Sequence, residues 1–136
     1  MDAEQVAREY LCPGTSIAVI GASPKIDRAS NEIVEYLKRK KMKVFPINPG
    51  HAGKKIHDLE CVAKLSDLKE KVDIVNVIVS PRFQDKIISE IKDLDYKPIV
   101  WFQPGAENPE AEKKLEEEGY TVISDACIMV VHTLFC

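Results

Sequence analysis

A chain of 136 residues, 45% hydrophobic and 30% charged, is long enough for one packed domain and too short for two ordinary ones. Its formal net charge of −3 leaves no face-wide basic excess for nucleic acid. No apolar run approaches the ~20 residues that cross a membrane, and the acidic, amphipathic start MDAEQVAREYL is unlike a signal peptide. A cytoplasmic location with no membrane partner is the expectation.

In chain order, Asp2–Leu11 is predicted helical, with Val6 and Tyr10 on one face and Cys12-Pro13-Gly14 ending it. Ile17-Ala18-Val19-Ile20 is a short, unbroken apolar run that stops at Gly21. That is the pattern of a strand buried on both faces of a parallel sheet. The small residues Gly21-Ala22-Ser23 follow, then a loop carrying Lys25 and Arg28. A helix then runs to about Lys41, with Ser30 and Asn31 as candidate caps and Ile33, Val34 and Leu37 as its buried stripe. The basic run Lys38-Arg39-Lys40-Lys41 suits the negative end of that helix's dipole.

Lys43–Ile47 reads as a second strand, with Pro46 near its end because it removes one ladder bond. Asn48–Gly53 is a loop by composition, Lys54–Asp58 a short extended piece, and Ser66-Asp67-Leu68 the cap of a brief helix. Val72–Val79 is the third strand. Ser80-Pro81 ends it and opens a helix whose apolar stripe is Phe83, Ile87, Ile91 and Leu94. Pro98–Phe102 is the fourth strand, followed by the turn Gln103–Ala106. Asn108-Pro109 caps the helix Glu110–Glu118, and Gly119 stops it. Tyr120–Ile123 is the fifth strand, and Asp125–Cys136 an apolar tail expected to form a short helix.

This alternation of strands and helices predicts a single α/β domain over residues 1–136, a Rossmann-like, doubly wound parallel sheet of five strands with helices on both faces. The expected strand order is 3-2-1-4-5, with the switch point beside the first strand. Four loops would converge there: Gly21–Ser30, Asn48–Gly53, Ser80–Phe83 and Gln103–Ala106. A strand, a glycine turn and a helix N-terminus together receive phosphates, because free N–H groups and the helix dipole face the anion. The plainer reading of the same residues is an ordinary strand–helix turn.

A dinucleotide fingerprint would show three glycines here and an acidic residue at the end of the second strand, for the ribose diol. The chain has Gly21-Ala22-Ser23-Pro24-Lys25-Ile26 and Pro46-Ile47-Asn48-Pro49 instead. Both departures count against NAD. Lys25 and Arg28 suit a ligand with more phosphate charge. Asn48 is uncharged, with Lys54 and Lys55 beyond it, so no carboxylate there repels further phosphate charge.

The combination of IAVIGAS, FPINPG, VIVSP, VWFQPGAENPEA and GYTVISDAC, in this order, resembles the single-domain CoA-binding proteins. These are related to the CoA-binding N-terminal domain of the succinyl-CoA synthetase alpha subunit and of NDP-forming acyl-CoA synthetases. The resemblance spans about Thr15 to Cys127 and implies coenzyme A as the cofactor. It assigns the phosphates to Gly21, Ala22, Ser23, Lys25 and Arg28. The nucleotide would be bordered by Asn48 and Pro49, and its adenosine end by Val79, Ser80, Pro81 and Phe83. The pantetheine arm would face Gln103 and Gly105.

Two departures accompany the resemblance. Family members often follow the last-strand cysteine with a Glu-His pair, whereas here Cys127 is followed by Ile128-Met129-Val130-Val131-His132. The synthetases also carry a phosphorylated histidine in a separate domain, so ligase activity by this chain alone is not expected. No catalytic residue and no metal ligand is assigned. Asp125, Cys127 and His132 contain the groups of a nucleophile, orienter and base, but a spacing of five on a short helix does not clearly join cysteine to histidine. A buried structural cysteine is the plainer reading. His51 borders the nucleotide loop, either touching phosphate or simply solvated. Trp101 and Phe102 follow the strand pattern as packing residues, while Phe83 is the candidate for adenine contact.

Cys12, Cys61, Cys127 and Cys136 form no CxxC pair, which argues against structural zinc. Few Gln and Asn against many Lys and Glu lean towards a thermophile, where an intracellular disulfide becomes possible. Three outcomes stay open: buried free thiols, an internal pair such as Cys12 with Cys136, and a mixed disulfide with CoA. Three functions stay open as well. The chain is a stand-alone module for CoA or acyl-CoA, an NAD(H)-binding redox sensor or oxidoreductase subunit, or a non-catalytic partner subunit of a larger acyl-CoA enzyme.

Overall fold

The computed structural model describes residues 1–136. Five parallel strands form the sheet: β1 (Ser16–Ile20), β2 (Lys43–Ile47), β5 (Ile74–Val77), β6 (Ile99–Phe102) and β7 (Val122–Ile123). A separate hairpin, β3 (Lys55–Ile56) with β4 (Leu59–Glu60), lies between β2 and β5 in the chain. The helices are α1 (Ala3–Val6, continuing as a π-helical turn over Ala7–Leu11), α2 (Ala29–Arg39), α3 (Asp85–Asp93), α4 (Pro109–Glu117) and α5 (Ile128–Phe135).

The α/β class and the five parallel strands are those expected from the alternation. The order is β2-β1-β5-β6-β7. By rank along the chain that is 2-1-3-4-5, so the third strand lies against β1 and not outside β2. The physical reason is burial. All four residues of β5 are buried, whereas β2 carries an exposed Lys43, a half-buried Phe45 and Pro46, which has no N–H to donate. β2 therefore takes the edge, where a proline is tolerated. The switch point falls between β1 and β5, still beside the first strand, and opens a crevice at their carboxyl ends.

The period-2 alternation of the strands splits the core into two layers. Ile17, Val19, Ile74, Trp101 and Ile123 face α1, α2 and α5, meeting Leu11, Leu37 and Ile128. Ala18, Ile20, Val75, Val100 and Phe102 face α3 and α4, meeting Ile91 and Leu115. Trp101 is fully buried and its indole N–H donates to the Ala126 carbonyl at 2.9 Å, so it packs as expected.

Local expectations differ at three places. Ser30 and Asn31 are not caps: α2 begins one residue earlier, with Arg28 in the N-cap position, and both polar side chains are buried inside the first turn. The brief helix after the hairpin is a single 3-10 turn, Leu65–Asp67. Phe83 does not join the buried stripe of α3, because Pro81–Phe83 forms its own 3-10 turn before α3 starts and leaves the residue 62% exposed. Gly119, at φ +95°, ends α4 as its sequence predicts.

Cys12 and Cys136 are joined by a disulfide across 124 residues of sequence, with their Cα atoms 5.2 Å apart. It ties the end of the first helical segment to the end of α5. Cys61 is a free, buried thiol whose pKa is pushed up by burial, and Cys127 is free and half-buried. No helix is long and apolar enough to cross a membrane.

Candidate functional site

The loop after β1 and the loop after β2 are latched together. Gly21 turns at φ +100°, which a side chain rarely adopts. Its N–H and that of Ala22 both go to the Ile47 carbonyl, at 2.9 and 3.3 Å. Asn48 Nδ2 donates to the Ala22 carbonyl at 2.9 Å, while its Oδ1 accepts from Gly50 N–H at 2.9 Å. On the other side Asn31 Nδ2 donates to the Ser23 carbonyl at 2.9 Å. The first two N–H groups of the turn are therefore used inside the protein. Those of Ser23, and of Ala29 and Ser30 in the first turn of α2, carry no internal bond.

Two cavities flank this latch and share Gly21 and Asn48. The polar one, about 380 Å³, is lined by Ser23, Lys25, Arg28, Ser30 and His51. Neither Lys25 nor Arg28 carries an ion pair, so both cations are available to an anion at the N-terminus of α2. His51 lines this cavity too, although its Nδ1 is sealed from solvent and has no hydrogen-bond partner. A buried polar atom of this kind has lost its water and gained nothing inside the protein. The second cavity, about 370 Å³, is the apolar one, with Ile20, Pro49, Val79, Phe83 and Ile87 in its walls. Lys64, Lys86 and Glu90 sit at its edge.

A family model described as a CoA binding domain matches residues 15–133. The chain belongs to that family. The uncharacterized protein YneT of Bacillus subtilis is 32% identical over 127 residues, covering 93% of this chain and 92% of YneT. An ADP-forming acetate–CoA ligase of Methanocaldococcus jannaschii is 25% identical over 132 residues; this chain spans 18% of that enzyme. Among solved structures, a Thermus thermophilus protein titled cell-free ID.343 superposes with TM-score 0.90 at 37% identity over 98% of both chains. A hypothetical protein from Pyrococcus horikoshii superposes with TM-score 0.87 at 30% identity, covering 97% of this chain and 91% of its own.

Not every residue assigned from the resemblance to CoA-binding proteins lies in the two cavities. Gly21, Ser23, Lys25, Arg28, Asn48, Pro49, Val79 and Phe83 do. Ala22 lies beneath the turn, fully buried, and enters only through its carbonyl. Ser80 and Pro81 open the next 3-10 turn, and Pro81 borders a different groove, between α3 and α4. Gln103 and Gly105 line neither cavity. Gln103 is 4% exposed, its Oε1 accepts from Asn76 Nδ2 at 3.1 Å and from Ile128 N–H at 2.8 Å, and its Nε2 lies 3.4 Å from Cys127 Sγ. It is a brace between β5, β6 and the start of α5. Ser30, His51, Lys64, Lys86 and Glu90 are the polar lining residues outside the set assigned from sequence. Nothing in their spacing singles them out, and Lys54 and Lys55, the first cations after Asn48 in sequence, line neither cavity.

The Cys127 and His132 pair is not assembled. His132 Nδ1 meets the Tyr36 hydroxyl at 2.8 Å, across the α2–α5 contact. Burial, and then nearby Lys40, holds its pKa below the ordinary value. No group of three or more His, Cys, Asp and Glu is placed to hold a metal ion.

Proposed function

We propose that the protein binds coenzyme A or an acyl-CoA as a stand-alone module. The ligand's diphosphate sits in the polar cavity and its adenosine end in the apolar one. The observation that carries this reading is the polar cavity itself. Two unpaired cations line one space at a helix N-terminus, together with three residues whose N–H groups carry no internal bond. An anion with several oxygens supplies what each of them lacks. Membership of the CoA-binding family supports coenzyme A as the source of that anion.

Asn48 weighs against the NAD(H) alternative. It stands where a ribose-binding carboxylate would be, and both ends of its side chain are engaged in the latch. It offers a ribose diol neither the charge nor the paired oxygens of a carboxylate. The cations that border the apolar cavity, Lys64 and Lys86, suit the 3′-phosphate of CoA better than Lys54 and Lys55 do. A role as the non-catalytic subunit of a larger acyl-CoA enzyme is the second reading, favoured by the match to a fraction of the acetate–CoA ligases. Co-purification of an acyl-CoA enzyme with the chain would favour it over the stand-alone module.

Arg28 provides the test of the phosphate assignment. Its side chain is exposed and unpaired, so removing it leaves the core intact. Arg28→Ala should weaken CoA binding by about 1–3 kcal/mol in calorimetry, the range of a charge-assisted hydrogen bond. Unchanged affinity would take Arg28 out of the site.

A further inference from the structure

The β3–β4 hairpin turns through two residues, His57 and Asp58, at φ 48° and 67°. Asn-Gly or Asp-Gly is the usual occupant of such a turn. The histidine is accounted for by what its ring touches. Nε2 lies 2.8 Å from Asn31 Oδ1. The Asn31 amide nitrogen is already the donor to the Ser23 carbonyl, so Oδ1 accepts and the His57 proton sits on Nε2. Lys38 Nζ donates to the His57 carbonyl as well, so α2 holds the hairpin tip by two hydrogen bonds. A chain of contacts thus runs from the hairpin, through the 5%-exposed Asn31, to the peptide that follows Ser23.

Resting on the coenzyme reading above, we propose that His57 is a positioning residue for the anion-binding turn. Asn48 fixes the Ala22 carbonyl, and with it the peptide plane that carries the Ser23 N–H. The His57–Asn31 relay fixes the next plane. Together they set the direction of the turn that faces the polar cavity. Without the His57 donor, Asn31 Oδ1 is a buried acceptor with no partner, and its carboxamide is free to rotate off the Ser23 carbonyl. Hydrogen bonds weaken steeply with misalignment, so a loosened turn binds an anion less well although no contacting residue has changed.

The test compares His57→Leu with His57→Gln in calorimetric titrations with CoA and with inorganic pyrophosphate. Gln keeps an N–H donor at about the reach of Nε2, whereas Leu has none; neither is branched at Cβ, so the turn backbone is burdened alike. His57→Leu should bind both probes about tenfold more weakly, and His57→Gln within about twofold of the parent. Rescue by Gln is the readout that a purely structural role would not produce. Parent-like affinity in His57→Leu, or equal losses in both variants, overturns the proposal. A parent that binds pyrophosphate but not CoA overturns the coenzyme reading, and the two variants then judge the relay on pyrophosphate. A parent that binds neither overturns both.

Discussion

Gly21→Val should abolish CoA binding and destabilise the fold while leaving its unfolding cooperative. Gly21 sits at φ +100°, and a β-branched residue there is strained whatever the surrounding space. Such a conformation costs about 1–3 kcal/mol. Space is also short: a Cβ at this position would lie 3.0 Å from Val79 Cγ2 and 3.4 Å from the Ile78 carbonyl carbon. Val79 must give way, which displaces a wall of the apolar cavity, and overpacking of this kind costs a further ~1–3 kcal/mol. The remaining stability of an ordinary domain, about 5–15 kcal/mol in total, is enough to keep it folded. The ligand effect should exceed the stability effect, because Gly21 lines both cavities. Thermal melting and calorimetry on the same sample separate the two. A cooperative Gly21→Val protein with parental CoA affinity would move the phosphate site elsewhere.

Reduction of the Cys12–Cys136 disulfide should give the second large effect. The bridge closes nearly the whole chain, 124 residues in separation, so it restricts the unfolded ensemble strongly. In the chain-entropy model a loop of that length stabilises by about 5 kcal/mol. For a domain of this size that corresponds to a fall in melting temperature of roughly 10–20 °C on complete reduction. The ends it joins supply Val6, Leu11, Ile128 and Val131 to one core layer, so fraying there should begin first. Intact-mass measurement after alkylation of the denatured chain checks the bridge itself: two thiols should react without reductant and four with it. Four reactive thiols without reductant, or an unchanged melting temperature after full reduction, would contradict the assignment.

The sheet was legible because its strands are short apolar runs closed by glycine or proline, as at Ile17–Gly21 and Val79–Pro81. The position of the third strand was not, since nothing in Val72–Val79 states which side of β1 it joins. Burial of all four β5 residues decides it, and that is a tertiary property. The glycine turn, Lys25, Arg28 and Asn48 were legible as local chemistry. Gln103 was not legible as a brace, because its partners Asn76 and Ile128 come from distant parts of the chain. His57 had no visible partner for the same reason: Asn31 lies 26 residues away and is reached only by way of the hairpin. In sequence Asn48 is a neutral neighbour for a 3′-phosphate, and the geometry adds a structural duty, its donation to the Ala22 carbonyl. Asn48→Asp would set a carboxylate oxygen against that carbonyl, so it would disturb the turn as well as repel phosphate.

The most direct test of coenzyme binding is the melting temperature of the parent protein with CoA, dephospho-CoA and NADH at equal concentration. A ligand that binds only the folded state stabilises it by about 2.7 kcal/mol at one hundred times its dissociation constant. For this chain length that is a rise of roughly 3–6 °C. CoA should give that rise, dephospho-CoA a smaller one because it leaves Lys64 and Lys86 without a 3′-phosphate, and NADH little. An NADH shift as large as that of CoA would contradict the coenzyme assignment and favour a redox sensor.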